Sequence, residues 1–248
     1  MPRRCWQAGK LPVGEIWFCG DNHGEFAHII AAVKRHRPSA IVLLGDVQAP
    51  NPLQIELAEI LSGTAVYWIP GNHDTDTEAD YDNLFGSDLA DRNLHGRVVN
   101  IEGVRIAGLG GIFREKVWLP PGEPIYNSAK DYLRVAGKGN RWRGGLPLRH
   151  RSTIFYDDYL RLSRLSADVL VTHEAPGAHP QGKEALELLA ITMSATKLYH
   201  GHTHDSLPYY NQQIQLCGVG LCGITSLDGE KIIPGALDEA RSDRKSFK

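Results

Sequence analysis

Four short stretches gather the side chains best suited to metal chemistry: GDNHG at 20–24, GD at 45–46, GNHD at 71–74 and GHTH at 201–204. A fifth, THE at 172–174, adds another histidine. Together they supply Asp21, His23, Asp46, Asn72, His173, His202 and His204. Hard-to-borderline divalent metals take carboxylate oxygen, amide oxygen and imidazole nitrogen. A single ion rarely needs seven such donors, whereas two ions sharing one carboxylate do. The expected chemistry is therefore hydrolysis at a dinuclear metal centre. Two cations ~3.5–4 Å apart can bind one phosphate and stabilise both the attacking and the leaving oxygen, and a water shared between them ionises readily. Neutral Asn72 would add an oxygen ligand without negative charge, which keeps such a site electrophilic for an anionic substrate.

Each stretch follows an apolar run that reads as a strand. Residues 15–21, 40–46 and 64–69 are three such strands, with helical spacing between them at 24–36 and 53–61. Pro38 ends the first helix, and Ser62 with Gly63 closes the second. This alternation predicts parallel strands with right-handed crossovers. Ligands of open α/β sheets bind at the carboxyl ends of the strands, so Asp21, Asp46 and Asn72 are expected to meet at one crest. Residues 98–101 and 104–109 predict a hairpin across Glu102 and Gly103. A helix near 153–165 precedes a strand at 167–172, and a helix at 183–190 precedes one at 197–201. Residues 209–216 and 221–226 are expected to finish a second sheet, and strand alternation would put His202 and His204 on one face. The chain shows no internal repeat. Residues 1–248 read as one domain, with an insert loop at 112–150 and a polar, peripheral tail at 229–248.

In this order, each after a strand, the five pieces resemble the calcineurin-like metallophosphoesterase superfamily, whose pattern is D-x-H, GD, GNH[DE], H and GHxH. The likeness covers residues 20–204. It implies an α/β fold, a sandwich of two mixed β-sheets flanked by helices. It also implies that Asp21, His23 and His204 hold one metal, that Asn72, His173 and His202 hold the other, and that Asp46 bridges them. The implied activity is hydrolysis of phosphate esters, as a phosphatase or phosphodiesterase, by a metal-bridging hydroxide. His73 would protonate the leaving oxygen, and Asp74 would fix its ring and raise its pKa. Two divalent ions are expected, Mn²⁺ first, with Fe or Zn²⁺ also suited to the mixed donors. Protein serine/threonine phosphatases and symmetrical dinucleoside tetraphosphate hydrolases continue the second motif as GDxxDRG, whereas this chain reads GDVQAPN. The RIAGLGGIF stretch is loosely similar to lariat-debranching enzymes, but those usually carry Cys at the position of Asp21. A non-catalytic binding scaffold on the same fold is the contrasting reading, and the intact ligand set argues against it.

Other clusters have plainer readings. Asp74, Asp76 and Glu78 mimic the start of a calcium loop, but Ala79 and Phe85 stand where its Gly and bidentate Glu belong. Thr75 with Glu78 reads instead as a capping box. His200 shares parity with His202 and His204 and could support them from behind; its ordinary reading is a packed or surface histidine, as for His28 and His36 on the first helix. From 130 to 151 there are seven Lys or Arg against Asp131 alone, with Trp142 between two arginines. That loop reads either as a solvated or oligomer-contact segment, or as a grip for phosphate or a nucleobase. The expected partners are a phosphorylated small molecule or nucleotide, with nucleic acid touching the basic loop as a further option.

Composition sets the outer limits. A net charge of −2 over 248 residues gives no general drive toward nucleic acid or anionic membrane. Four cysteines (Cys5, Cys19, Cys217, Cys222) form no regular framework and read as reduced thiols. The opening MPRRCWQAGKLPVGE lacks an apolar h-region, and no apolar run nears the ~20 residues of a membrane span. A cytoplasmic protein is expected.

Overall fold

Strands covered on both faces must be apolar at every position, and that is how the strands before the motifs read. The computed structural model describes residues 14–210 and 213–239. Its strands are β1 (Ile16–Cys19), β2 (Ala40–Leu43), β3 (Ala65–Trp68), β4 (Arg97–Ile101), β5 (Val104–Leu109), β6 (Val169–Thr172), β7 (Lys197–His200), β8 (Pro208–Tyr210), β9 (Gln215–Gly218), β10 (Ile224–Ser226) and β11 (Lys231–Ile233). Its α-helices are α1 (Ala27–His36), α2 (Leu53–Glu56), α3 (Glu78–Phe85), α4 (Ala129–Val135), α5 (Tyr156–Ser163) and α6 (Glu184–Thr192). One mixed sheet runs β11-β10-β1-β2-β3, the other β4-β5-β6-β7-β9-β8. Strands β1, β2 and β3 are parallel, as are β5, β6, β7 and β9.

Side-chain alternation sorts the core into three layers. Ile16, Phe18, Val42 and Leu44 point to the space between the sheets, where they meet Ile106, Val171 and Tyr199. Phe18 stacks on Tyr199 across that gap, with ring centroids 3.9 Å apart. Trp17, Cys19, Ile41 and Leu43 face outward against Ile29 and Val33 of α1. On the far side Leu170, Leu198 and Leu216 pack with Leu162, Leu186 and Leu189 of α5 and α6. This is the expected α/β sandwich flanked by helices, with the predicted parallel strands and the hairpin across Glu102 and Gly103 in place.

Several expectations need correction. Regular helix at 53–61 stops at Glu56 and gives way to turns, and α1 begins at Ala27 rather than residue 24. Residues 209–216 divide between β8 and β9, with 211–212 outside the described residues. Residues 221–226 join the first sheet instead of the second: β10 lies antiparallel to β1 and buries Ile224 under α1. The tail from 229 is not wholly peripheral, because β11 extends that sheet and Asp238 accepts amides from Ser206 and Gly235, each at 3.1 Å. Residues 240–248 and Cys5 lie outside the described residues, and Cys19, Cys217 and Cys222 are free thiols. The segment 112–150 is not an irregular loop. It contains α4, capped by the Ser128 hydroxyl, and sinks Phe113, Val117 and Trp118 into the core beside α5 and α6. The capping box on α3 is Thr77 with Asp80, not Thr75 with Glu78, since the Thr75 hydroxyl is bonded to that of Ser152 at 2.7 Å. Among the described residues no helix is long and apolar enough to cross a membrane.

Helix α5 is pinned to the segment before β4 by polar contacts. Asp158 lies 3.5 Å from His95 and 2.6 Å from Arg161, whose Nε also donates to the Gly96 carbonyl. Burial pushes the Asp158 carboxyl up, yet the His95 and Arg161 contacts outweigh it and hold its pKa below the ordinary value. A depressed folded pKa stabilises above the unfolded value and is lost as pH falls through the folded one. Urea unfolding between pH 6 and pH 3 is expected to show Asp158→Asn less stable at pH 6 and less sensitive to acid than the parent. Parallel pH profiles for the two proteins would contradict this.

Candidate metal centre

Asp21 follows β1, Asp46 follows β2, Asn72 follows β3, His173 follows β6, and His202 and His204 follow β7. Parallel strands bring all these carboxyl ends to one crest. Local backbone then aims the side chains. Asp21, His23, Asp46, His202 and His204 all take left-handed φ, from 34° to 67°. L-residues pay roughly 1–2 kcal/mol for that region, least for Asp, Asn and His with their local hydrogen bonds. Here the strained turns are tied to one another. His23 N–H donates to the Asp46 carbonyl at 2.9 Å, and His202 N–H donates to both Asp21 carboxylate oxygens at 2.9 Å. The strand-alternation expectation for His202 and His204 is thus corrected: β7 ends at His200, and both histidines sit in the turn beyond it. His200 lies beside His179, ring centroids 6.3 Å apart, with its Nδ1 donating to Gly201 O at 2.9 Å.

The donor atoms converge in two groups that share a member. Ligand atoms of Asp21, His23, Asp46 and His204 all lie within 4.8 Å of one another, as do those of Asp46, His173 and His202. Asn72 Oδ1 is 3.2 Å from His173 Nε2. Outer contacts fix which imidazole nitrogen faces inward. His173 Nδ1 donates to the Leu44 carbonyl at 2.8 Å and His23 Nδ1 to Gln48 Oε1 at 2.6 Å, leaving both Nε2 atoms for the cluster. His23 Nε2 then stands 3.2 Å from His204 Nε2, so two imidazole nitrogens meet head-on where a cation suits both. This His/Asp cluster fits a dinuclear metal site.

The electrostatics agree with that fit. Burial raises the Asp21 carboxyl to about 7 and, with the Asp46 charge added, Asp74 to about 7. Burial opposes the His173 cation, but the Asp46 and Asp21 carboxylates prevail and lift it to about 10. Asp46 is held below its ordinary value in return, burial notwithstanding. Burial and the nearby His173 cation lower His202 to about 4. Buried carboxylates that need a counter-charge are what a bound cation would satisfy.

His73 lies at the rim, its side chain 45% exposed, with its ring centroid 5.5 Å from that of His23. Its backbone N–H donates to Asp46 Oδ1 at 2.8 Å. The expected ring partner, Asp74, is elsewhere: it is fully buried and accepts the Gly71 and Gln48 amides, each at 2.8 Å. Asp76 takes that place, 2.5 Å from His73 Nδ1. Burial lowers the His73 pKa, and the bond to Asp76 more than restores it, so the net shift is upward. Sequence reasoning also missed Gln48 and the Leu44 carbonyl, each within two residues of Asp46.

Comparison with known proteins gives the family and the fold. Residues 14–206 match the family described as calcineurin-like phosphoesterase. The chain belongs to that family. An uncharacterized protein of Haemophilus influenzae is 38% identical over 219 residues, which span 88% of this chain and 96% of that one. Among solved structures, TT1561 of Thermus thermophilus is similar with a TM-score of 0.56 at 14% identity, covering 86% of this chain and 94% of its own. A phosphopantetheinyl hydrolase of Mycobacterium tuberculosis gives 0.50 at 16% identity, with 85% and 91% covered. At these identities the two structures show a shared fold.

As a calcineurin-like phosphoesterase the chain packs its crest without spare room at Gly71. A Cβ there would lie 2.3 Å from both the Asp46 amide nitrogen and Oδ1, and 2.7 Å from the His173 ring. Gly71→Ala is expected to displace the shared carboxylate, costing about 1–3 kcal/mol of stability and weakening Mn²⁺ binding at least tenfold by calorimetric titration. Unchanged Mn²⁺ affinity in a folded variant would show that Gly71 does not hold Asp46 in place.

Proposed function

We propose that this chain hydrolyses phosphate esters with two divalent cations held at the crest. The observation that carries the reading is that Asp46 belongs to both donor groups. Asp21, His23 and His204 would hold one cation, Asn72, His173 and His202 the other, with Asp46 between them. Bound there, the pair would supply Lewis acidity toward a phosphoryl group and an ionised water near neutral pH. Mn²⁺ is our first expectation, and Fe or Zn²⁺ also suits these donors.

The chain's own residues do the rest. The bond to Asp76 raises the His73 pKa and so favours the protonated ring, and with Nδ1 held by Asp76 it is Nε2–H that would be given to the leaving oxygen. Asp74 positions this machinery indirectly, by fixing the backbone on either side through Gly71 and Gln48. Asn72 ligates without adding negative charge, so an anionic ester is not repelled. A phosphorylated small molecule or a nucleotide is the substrate class that this crest suits, as monoester or diester.

The test compares leaving groups. p-Nitrophenolate departs without a proton and an alkoxide does not. Mn²⁺-dependent turnover of p-nitrophenyl phosphate and β-glycerophosphate is expected, with His73→Ala lowering kcat by about 10²–10⁴-fold for the alkyl ester and much less for the aryl one. Turnover unaffected by chelation, or equal losses on the two esters, would contradict the assigned roles.

A further inference from the structure

The segment 112–152 is fastened to the crest at both ends. Gly111 N–H donates to the Pro70 carbonyl at 2.6 Å, and Phe113 N–H donates to Glu174, next to His173, at 2.8 Å. At its other end the Ser152 hydroxyl meets that of Thr75, in the turn that carries His73, at 2.7 Å. Between these fastenings lies a cleft of about 410 Å³, with Tyr132, Arg141, Arg149 and His150 among its walls. That volume is in the range of small-molecule sites.

Its cations are not all spent on structure. Arg143 is, and with Trp142 it is removed as a free base-stacking platform: Arg143 pairs with Asp82 and Glu78 of α3 and lies 4.2 Å over the Trp142 ring, whose Nε1 donates to Glu78. By contrast, among the described residues no carboxylate forms an ion pair with Arg114, Arg141 or Arg149. Arg114 is tied by Nε to the Thr153 hydroxyl and by Nη2 to the Arg149 carbonyl, each at 3.0 Å, and it feels the Asp76 charge beside His73. Burial, then Arg114, Arg149 and Lys116, hold His150 below its ordinary pKa, so the local field is positive. A positive field whose arginines have no ion-paired carboxylate favours an anion.

We infer that this cleft receives the leaving-group side of the substrate and that the leaving group is a small organic molecule carrying a second phosphate. Arg149 and Arg141 line the phosphate subsite, with Arg114 bracing it toward His73. The inference rests on the hydrolase reading above, because it needs the scissile phosphate at the crest. It names what that reading leaves open, the class of ester. The GDVQAPN stretch lacks the arginine of the GDxxDRG pattern. Arginines of the inserted segment supply cationic side chains near the crest instead.

Two measurements separate this inference from the hydrolase reading. In EDTA, tryptophan fluorescence is titrated with adenosine 5′-monophosphate as a probe of the cleft alone. Saturable binding is expected, weakened at least tenfold in Arg149→Glu and in Arg141→Glu, both exposed positions. With Mn²⁺, kcat/KM for adenosine 3′,5′-bisphosphate should exceed that for the monophosphate at least tenfold, and the ratio should fall toward one in both variants. No saturable binding, binding indifferent to both substitutions, or a ratio near one in the parent would overturn the inference. If no ester turns over with any metal, the hydrolase reading fails, and the EDTA titration alone decides for or against the cleft.

Discussion

The crest is organised by one buried negative charge. Asp46 is 1% exposed and lies close enough to Asp21 and Asp74, both fully buried, to perturb their ionisation. Two unit charges 4 Å apart interact by about 4 kcal/mol at an effective dielectric near ~20, so three such carboxylates cannot stand together without compensation. Each is compensated differently. Asp46 takes the His73 amide on one oxygen and faces His173 with the other, 3.4 Å away. Asp74 accepts two amides, and Asp21 accepts the His202 amide on both oxygens. The left-handed backbone at Asp21, His23, Asp46, His202 and His204 is the cost of aiming these groups at one another.

The fold serves that convergence. Every contributing strand is parallel to a neighbour, so every loop that carries a crest residue leaves the same edge of its sheet, and the two sheets pack face to face through Phe18 and Tyr199. The inserted segment is fastened to the same loops. Its contacts with α3 set Arg143 against Asp82 and Glu78, which explains why an acidic run and a basic run lie some 60 residues apart in sequence and yet side by side in space. Of the cations left after that pairing, Arg114 feels the charge of Asp76, the ring partner of His73.

Much of this was legible in the residues. Apolar runs ending in Asp, Asn or His name the strands and the crest together, because a strand buried on both faces has a distinctive pattern and five such endings in one order are far more specific than any one of them. The order and spacing of the motifs were enough to name the residues that meet at the crest. What escaped has physical reasons. The pairing of β10 with β1 joins residues about 200 apart and leaves no local trace. Left-handed backbone at His202 and His204 looks like strand alternation from spacing alone. Asp74 and Asp76 are both acids within reach of His73, and only the demand of the Gly71 and Gln48 amides decides which one turns inward. Cleft walls drawn from residues 132 to 150 required knowing that the segment folds back on α3.

The central claim is that one carboxylate joins two cation sites. The most direct measurement is electron paramagnetic resonance of the chain loaded with Mn²⁺, beside a metal count. The account predicts two Mn²⁺ per chain and an exchange-coupled spectrum that disappears in Asp46→Asn. One Mn²⁺ per chain, or two that remain magnetically independent, would contradict it.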